Sequence, residues 1–489
     1  FASFVLVTGT TSGYCCNTKS RGVTYLKKYL TKPAPPRLAP TTVKTAAPGY
    51  CSVPAITSTT PLRYLFNSGV FLATFFLLFI TSKFTGLKLT KKYKSAGRKS
   101  KLSKPVKISD YGITEEFGYL PTQDPAQSLS PGNEAWDQMG KDLPKLLMGS
   151  DFRNRVKSLP DFKVDKLNGE AEIRRAMLVL SYIGQAYQWS SNEAAHTLPA
   201  KLALPWYQVG KKVGRPPILS YQSYASDNWR RFEKNGPIEC GNIGLLQCFL
   251  GGQDEEWFIL IHIDIEKKAG KGLKAIEEAQ IAVAANDADQ LEKAMIKLRE
   301  SLQAMYATLD RMPERCDPYI YFHRVRPYIF GWRNNPSLPN GVVYEGVDEY
   351  KGVGQKFRGE TGAQSAIVPA MDAVLGIEHE RDELRDYLME MRHYMPPEHV
   401  KFIEAAEAGP SVRNFVNTAN RKSLTQIFND CVEIVANFRA LHLEYAGSYI
   451  HAQSQKTPGN PSAVGTGGTP FMIYLRKHRD ETKAQTVKK

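Results

Sequence analysis

Acidic residues are missing from the start of the chain: the first 109 residues contain no aspartate or glutamate, although they contain 18 lysines or arginines. The rest of the chain carries 46 basic and 49 acidic residues, so the formal net charge of +15 belongs to the N-terminal segment. A nearly neutral remainder gives no electrostatic reason to expect a nucleic-acid partner. We therefore predict that the chain does not bind nucleic acid.

Disulfide and zinc patterns are also missing. The seven cysteines, at positions 15, 16, 51, 240, 248, 316 and 431, form no CxxC pair and no zinc-binding spacing. This usage favours a thiol-reduced protein over one held together by disulfides. A cytosolic or organelle-matrix setting suits it.

The N-terminal extension, residues 1–107, is basic and of low complexity. Residues 1–60 are rich in Ser, Thr, Pro and Ala, a composition shared by organelle transit peptides and by disordered segments. Residues 64–82 are 19 uncharged residues, about the minimum that spans a bilayer, and predict a membrane anchor. Two basic residues in 44–63 and eight in 83–102 would leave the C-terminal part in the cytosol or an equivalent interior, with a mitochondrial location as the alternative.

Helical periodicity dominates the rest of the chain and predicts a mostly α-helical protein. Gly251-Gly252 is a candidate boundary between a small domain, 108–250, and a larger helical domain, 251–489. The predicted helices lie at 133–148, 170–190, 267–286, 288–311, 365–391, 399–408 and 423–451, and a glycine-rich loop lies at 340–363. One segment conflicts with this pattern: isoleucines alternate strictly at 259, 261, 263 and 265, which by local propensity favours a strand.

The segment 424–449 places His442 on the apolar face of a strongly patterned helix, between Phe438 and Tyr445, with Arg439 nearby. A neutral imidazole in that position can ligate haem iron, and a nearby arginine can meet a propionate. A buried histidine that only satisfies a core hydrogen bond gives the same pattern. This segment alone leaves both interpretations open.

Several further motifs resemble the indoleamine 2,3-dioxygenase family, in order and with similar spacing, over residues 108–489. The motifs are Asp317-Pro-Tyr-Ile-Tyr-Phe-His-Arg-Val-Arg326, Gly331-Trp-Arg-Asn-Asn-Pro, Val343-Tyr-Glu-Gly346, Gly362-Ala-Gln-Ser365 followed by Asp372, Tyr394-Met-Pro-Pro-Glu-His399, Ser411-Val-Arg413 and Gly465-Thr-Gly-Gly-Thr469. The resemblance implies a two-domain helical fold with haem b between the domains, held mainly by the larger one. It also implies a helix, not a strand, for 257–266.

The resemblance assigns the cofactor residues. It implies that His442 is the axial iron ligand, that Asp372 lies beneath the haem and that Arg439 is its partner on the propionate side. An ordinary interhelical salt bridge is the alternative for that acidic and basic pair. Gly362 and Ala363 would lie in a loop whose backbone is close to the haem.

The resemblance also assigns the substrate residues. Arg326 would bind a substrate carboxylate through its bidentate guanidinium, and Phe322 with Tyr321 would position the indole ring. His262 would orient the indole N–H or bound O₂, unless it is simply a polar residue on the surface of its element. Thr466 belongs to a glycine run that lacks the Lys-Ser/Thr of a Walker motif and would close over the substrate. The predicted apolar lining is Tyr221, Tyr224, Ala225, Phe258 and Ile329.

The implied reaction inserts both atoms of O₂ across the indole C2–C3 bond of L-tryptophan to give N-formylkynurenine, the first step of the kynurenine pathway and, in many organisms, of NAD synthesis. An electron donor would keep the iron ferrous. The main alternative is a non-catalytic, myoglobin-like oxygen carrier on the same fold. A membrane-tethered helical scaffold without haem is a third interpretation.

Overall fold

Helices form nearly all of the regular structure in residues 103–456 and 465–487, which are the residues that the computed structural model describes. The α-helices are α1 Glu134–Lys141, α2 Leu143–Leu146, α3 Phe152–Ser158, α4 Gly169–Trp189, α5 Ala200–Val213, α6 Gln253–Ala284, α7 Ala288–Asp310, α8 Pro318–Ile320, α9 Ile367–Leu375, α10 Glu383–Met391, α11 Pro397–Ala408, α12 Val412–Thr418, α13 Lys422–Tyr445, α14 Ala452–Lys456 and α15 Phe471–Lys483. This confirms the mostly α-helical fold class.

Shorter elements join these helices. Three segments are π-helical, Gln222–Ser226, Tyr321–Val325 and Ala446–His451. The 3₁₀ turns are Ile108–Tyr111, Val164–Lys166, Met312–Glu314, Arg326–Ile329, Asp348–Tyr350, Gly362–Gln364 and Arg392–Tyr394. The strands β1 Thr197–Leu198 and β4 Val343–Tyr344 pair in parallel, and β2 Arg230–Arg231 pairs antiparallel with β3 Ile243–Gly244. Short π segments are common where a helix borders a functional site, and two of these three contribute side chains to the site described below.

Two long helices form an antiparallel hairpin at the centre of the fold. The chain reverses between α6 and α7 at Asn286, whose φ of 55° is in the left-handed region that asparagine tolerates. Asp287 then caps α7, since its side chain accepts hydrogen bonds from the backbone N–H groups of Asp289 and Gln290. Helix α7 packs on α13, and α13 packs on α15. The C-terminal helix is thereby layered against the helix that carries His442.

Two hydrophobic cores lie on opposite sides of α6. The first core draws on residues 120–263, 329–347 and 384–394, and the second on residues 106–119, 257–325, 366–377 and 395–449. Ile259 and Ile263 belong to the first core, whereas Ile261 and Ile265 belong to the second. Each pair is four residues apart, as on one face of a helix. The strict isoleucine alternation therefore arises because one helix is buried on two sides, and the helix predicted for 257–266 is confirmed.

The first core is packed tightly around α4 and α5. A Cβ at Gly184 would lie 2.1 Å from a ring carbon of Trp206, so only glycine lets this indole approach α4. The Trp206 Nε1–H donates to Ser181 Oγ at 3.1 Å, which satisfies the buried indole nitrogen. This core also includes side chains from 329–347 and 384–394, which lie beyond the proposed boundary at 250. The division into domains 108–250 and 251–489 stays a prediction.

The predicted helix at 365–391 is interrupted. Helix α9 ends at Gly376, whose φ of 58° gives a left-handed cap, and α10 begins only after Asp382, whose side chain caps it. The interruption places His379 outside either helix. Among the described residues, six helices lie outside the predicted set: α3, α5, α8, α12, α14 and α15.

None of the helices in the described ranges combines the length and the apolar composition needed to cross a membrane. The predicted anchor, residues 64–82, and the remainder of the extension up to residue 102 lie outside the described residues.

Candidate active site

One cavity of about 590 Å³ gathers most of the predicted site residues, and its size is in the range of cofactor and ligand sites. Helices α6, α9, α13 and α15, the loop 360–365 and the run 465–469 all contribute side chains to it. The predicted residues that line it are Tyr221, Phe258, His262, Tyr321, Gly362, Ala363, Asp372, Arg439, His442 and Thr466. Residues separated by up to 245 positions in the sequence thus meet in one place.

The α13 wall of the cavity consists of Phe438, Arg439, His442 and Tyr445. Desolvation by the surrounding protein and, to a smaller extent, the nearby His262 together lower the pKa of His442 to about 4. The His442 side chain lines the cavity, and its surface is accessible there. A neutral imidazole with an accessible lone pair is the form of histidine that ligates iron.

Arg439 and Asp372 form a bidentate ion pair between α13 and α9. The two Nη···Oδ distances are 3.1 and 2.6 Å, and Arg439 Nη1 also donates to Thr482 Oγ1 at 2.6 Å. Burial tends to raise the pKa of Asp372, but Arg439 and His379 outweigh it, so the pKa is lowered. Both members of the pair line the cavity. The pair is the interhelical salt bridge that the alternative interpretation describes, and the predicted roles of Asp372 and Arg439 at a haem stay predictions.

The aromatic wall consists of Tyr221, Phe258, His262 and Tyr321. The Phe258 ring centroid lies 4.5 Å from that of Tyr321 and 4.7 Å from that of His262, and the Tyr221 and His262 centroids are 5.9 Å apart. Such spacings are those of favourable aromatic contacts. Burial raises the pKa of Tyr321, so its hydroxyl stays protonated. This wall offers flat apolar surface with a polar edge.

His262 has a defined orientation within the aromatic wall. Its Nδ1 lies 2.7 Å from the backbone oxygen of Phe258. Because a carbonyl can only accept, Nδ1 must carry the hydrogen. Burial lowers the pKa of His262, which favours the neutral ring. In that ring Nε2 is an acceptor, so His262 is suited to receive a hydrogen bond from a donor such as an indole N–H.

The loop at Gly362 leaves room next to the backbone. A Cβ at Gly362 would meet no atom within 4 Å, and both Gly362 and Ala363 line the cavity. Gln364 fixes the loop: its Nε2 donates to the Gly359 oxygen at 2.9 Å and its Oε1 accepts from the Tyr221 N–H at 3.0 Å. The loop is a rigid, open cradle joined directly to the aromatic wall.

Thr466 lines the cavity, but its hydroxyl hydrogen is already engaged. Thr466 Oγ1 donates to the backbone oxygen of Glu360 at 2.6 Å, and the Thr466 oxygen accepts from the Gly331 N–H at 3.3 Å. Gly468 has a φ of 79°, and its N–H donates to the Gly465 oxygen at 2.7 Å. The glycine run is a hydrogen-bonded turn that covers one side of the cavity.

The other predicted residues form a layer that does not line this cavity: Tyr224, Ala225, Phe322, Arg326 and Ile329, each with at most 1% of its surface exposed. The Arg326 guanidinium carbon lies 4.4 Å from the Phe330 ring centroid and 5.5 Å from that of Phe322. Its charge acts on Tyr321 and partly opposes the rise in that residue's pKa. Arg326 thus lies close to the aromatic wall without lining the cavity.

Glu360 is a cavity residue that sequence reasoning missed. Its carboxyl group lines the cavity, and burial raises its pKa to about 8. The only sequence signal is its position two residues before Gly362. His379 and His478 also line the cavity and were missed, since their separation of 99 residues follows no ligand motif.

These observations fit a haem. The cavity has a neutral, accessible imidazole on α13, an open cradle at Gly362 and fixed charges next to the imidazole. A helical chain with this arrangement falls in the class of haem-dependent oxidoreductases. The family profile described as indoleamine 2,3-dioxygenase matches residues 107–485. The chain belongs to the indoleamine 2,3-dioxygenase family, whose members are haem-dependent dioxygenases.

Individual relatives agree with the family match. The chain is 35% identical over 390 residues to indoleamine 2,3-dioxygenase 1 of Rattus norvegicus, an alignment that covers 77% of this chain and 95% of the relative. It is 34% identical over 395 residues to indoleamine 2,3-dioxygenase 2 of Homo sapiens, covering 78% and 96%. It is also 30% identical over 385 residues to a protein named myoglobin from Haliotis madaka, covering 77% and 98%.

Proposed function

We propose that this chain is a haem b dioxygenase that cleaves the indole C2–C3 bond of L-tryptophan with O₂ to give N-formylkynurenine. The observation that carries the proposal is the pairing of the α13 wall with the aromatic wall in one cavity. A neutral His442 suits the iron, and an aromatic surface suits an indole. Bound haem would supply the iron at which O₂ is activated, and an electron donor would keep that iron ferrous.

In this proposal His442 would hold the iron, and Arg439 and Asp372 would provide fixed charge beside the bound haem. Gly362 and Ala363 would leave room for it. The ion pair is already formed in the protein, so little reorganisation is needed when haem binds.

The substrate would lie against the aromatic wall. Phe258 and Tyr321 contact the faces and edges of the indole, and His262 Nε2 accepts from the indole N–H. Tyr221 and the layer behind it, with Tyr224, Ala225 and Ile329, keep this surface rigid and apolar. Holding the ring in one orientation lowers the entropic part of the barrier.

The amino-acid end of the substrate requires charged partners. We assign Arg326 to the carboxylate as the family resemblance implies, because its guanidinium offers the bidentate geometry that a carboxylate needs, although in this structure it lies behind Phe322 and Tyr321 and does not line the cavity. The Thr466 hydroxyl oxygen can accept a hydrogen bond from the substrate ammonium while the hydroxyl continues to donate to the backbone oxygen of Glu360. The turn at 465–469 excludes water from that side.

The alternative function is reversible O₂ binding without turnover. The similarity to a protein named myoglobin supports this alternative. The full-length, haem-loaded chain should be given L-tryptophan, a reductant and air, and N-formylkynurenine should be measured. Turnover would support the dioxygenase. A stable oxy-ferrous spectrum with no product would favour the oxygen carrier.

A further inference from the structure

Three metal-binding side chains converge at the edge of the cavity, away from the aromatic wall. His379 lies in the break between α9 and α10, and His478 and Glu481 lie three positions apart on one face of α15. Ligand atoms of all three residues lie within 4.8 Å of one another. The two histidine ring centroids are 4.2 Å apart.

Hydrogen bonding within the protein leaves this cluster incomplete. His379 Nδ1 lies 2.6 Å from Glu481 Oε2, and His379 Nε2 lies 3.5 Å from Asp372 Oδ2. His478 has 8% of its surface exposed, and its Nε2 has no hydrogen-bond partner among the described residues. A buried polar nitrogen without a partner costs free energy, so a bound ligand at this nitrogen would stabilise the protein.

The same donor set can also bind a metal ion. Two imidazoles and one glutamate are the ligands of many zinc sites, with a fourth position left for water or another group. In such sites a carboxylate commonly holds the second nitrogen of a ligating histidine. Asp372 is placed for that role, since His379 can bind a metal through Nδ1 while Nε2 faces Asp372.

We propose that His379, His478 and Glu481 form a binding site for one divalent ion of the zinc class. The ion would join α15 to the segment after α9. Through Asp372 it would also support Arg439, which lies three residues before His442 on α13. This site is separate from the haem ligand, because His442 is not a member of the cluster.

The test compares the zinc content of haem-loaded, full-length protein after chelation, addition of Zn²⁺ and gel filtration. Wild type should hold one equivalent more than His478→Gln. The same equivalent should be retained by His451→Gln, which removes an exposed histidine outside the cluster. Cysteines 15, 16 and 51 are present in all variants, so any zinc that they bind cancels in the comparison.

A second pair of variants separates metal binding from folding. His379→Asn keeps an amide that can donate to Glu481 but removes the imidazole ligand, and Glu481→Gln removes the carboxylate. Each should weaken Zn²⁺ binding, measured by calorimetry, by at least about tenfold with an unchanged far-ultraviolet spectrum. Equal zinc content in wild type and His478→Gln, or an unchanged affinity in His379→Asn, would overturn the proposal.

Discussion

The two walls of the cavity differ in the chemical groups that they present. The α13 wall carries fixed charge and a neutral histidine, with Arg439 paired to Asp372 at 2.6 Å and His442 open to the cavity. The aromatic wall carries rings that contact one another at tilted and edge-on angles, with His262 among them. Charged groups that hold a cofactor gain from being paired before it binds, whereas an apolar ring is held by surface and shape. Under the proposed function, we therefore expect that cofactor binding and substrate binding can be changed separately.

The largest effect is expected at the α13 wall. His442→Ala removes the accessible neutral imidazole, so the purified protein should lose its stable haem and the Soret band that reports it. His451→Ala, an exposed histidine six residues beyond Tyr445, should keep both. Full haem retention in His442→Ala would mean that another residue holds the iron and that the α13 wall has no special role.

The second-largest effect is expected when the Arg439–Asp372 ion pair on the same wall is broken. Asp372→Asn removes the carboxylate that balances the charge of the buried Arg439, which should lower the free energy of unfolding by about 3 kcal/mol. Asp430→Asn, which breaks a more exposed pair with Arg299, should change it by less than about 1 kcal/mol. Urea unfolding of both variants measures the difference, and equal effects would contradict the distinction.

The same pair predicts a pH dependence with a definite sign. The pKa of Asp372 in the folded protein is lowered from its ordinary value of 3.8. Its contribution to stability is therefore complete above that ordinary value and is lost as the pH falls through the lowered folded-state pKa. The free energies of unfolding of wild type and Asp372→Asn should differ by a constant amount of about 3 kcal/mol between about pH 5 and pH 7 and converge in stronger acid. Unfolding curves that converge on raising the pH instead would contradict the assignment.

Behind the aromatic wall, Arg326→Ala should lower kcat/KM for L-tryptophan by about 10- to 100-fold, the loss of a hydrogen-bonded charge pair. The haem spectrum should not change, since Arg326 does not line the α13 wall. Arg324→Ala is the matched control, because this neighbouring arginine is exposed. Unaltered kinetics in Arg326→Ala would remove the residue from substrate binding.

The smallest effect is expected from His262→Ser, which removes the acceptor on the aromatic wall and leaves its rings in place. The loss of one neutral hydrogen bond should lower kcat/KM by about 2- to 10-fold. Because the pKa of His262 is lowered, its ring is neutral at pH 7, and the acceptor is lost only in acid as the ring takes up a proton. The difference between wild type and variant should therefore shrink as the pH falls. A constant difference across the acid limb would argue against this role.

Sequence patterns anticipated the helices better than their interruptions. The pattern at 423–451 matched α13 closely, although its last turns become the π segment Ala446–His451. Strand propensity at Ile259–Ile265 was misleading, because local preference does not register that a helix is buried between two cores. The break after α9 depends on the left-handed Gly376, which looks like any other glycine in a helical pattern.

The site was partly predictable for a related reason. His442, Arg439 and Asp372 were chosen as candidates because family motifs carry them, and all three line the cavity, while their roles stay predictions. Which of the predicted residues line the cavity was harder to predict. Phe322 and Arg326 lie in the same segment as Tyr321, but only Tyr321 lines the cavity. The reason is that this segment is a π-helical turn followed by the 3₁₀ turn Arg326–Ile329, and not a regular α-helix. His379, His478 and Glu481 come together only through the packing of α15, which no local pattern reveals.

The measurement that tests the central claim most directly is the isotopic composition of the product formed from L-tryptophan under ¹⁸O₂. We predict N-formylkynurenine with two ¹⁸O atoms, formed by the haem-loaded wild-type chain, absent with His442→Ala and much reduced with Arg326→Ala. A product carrying one labelled oxygen, or no product from a chain that binds O₂ reversibly, would contradict the account of the two walls as a dioxygenase site.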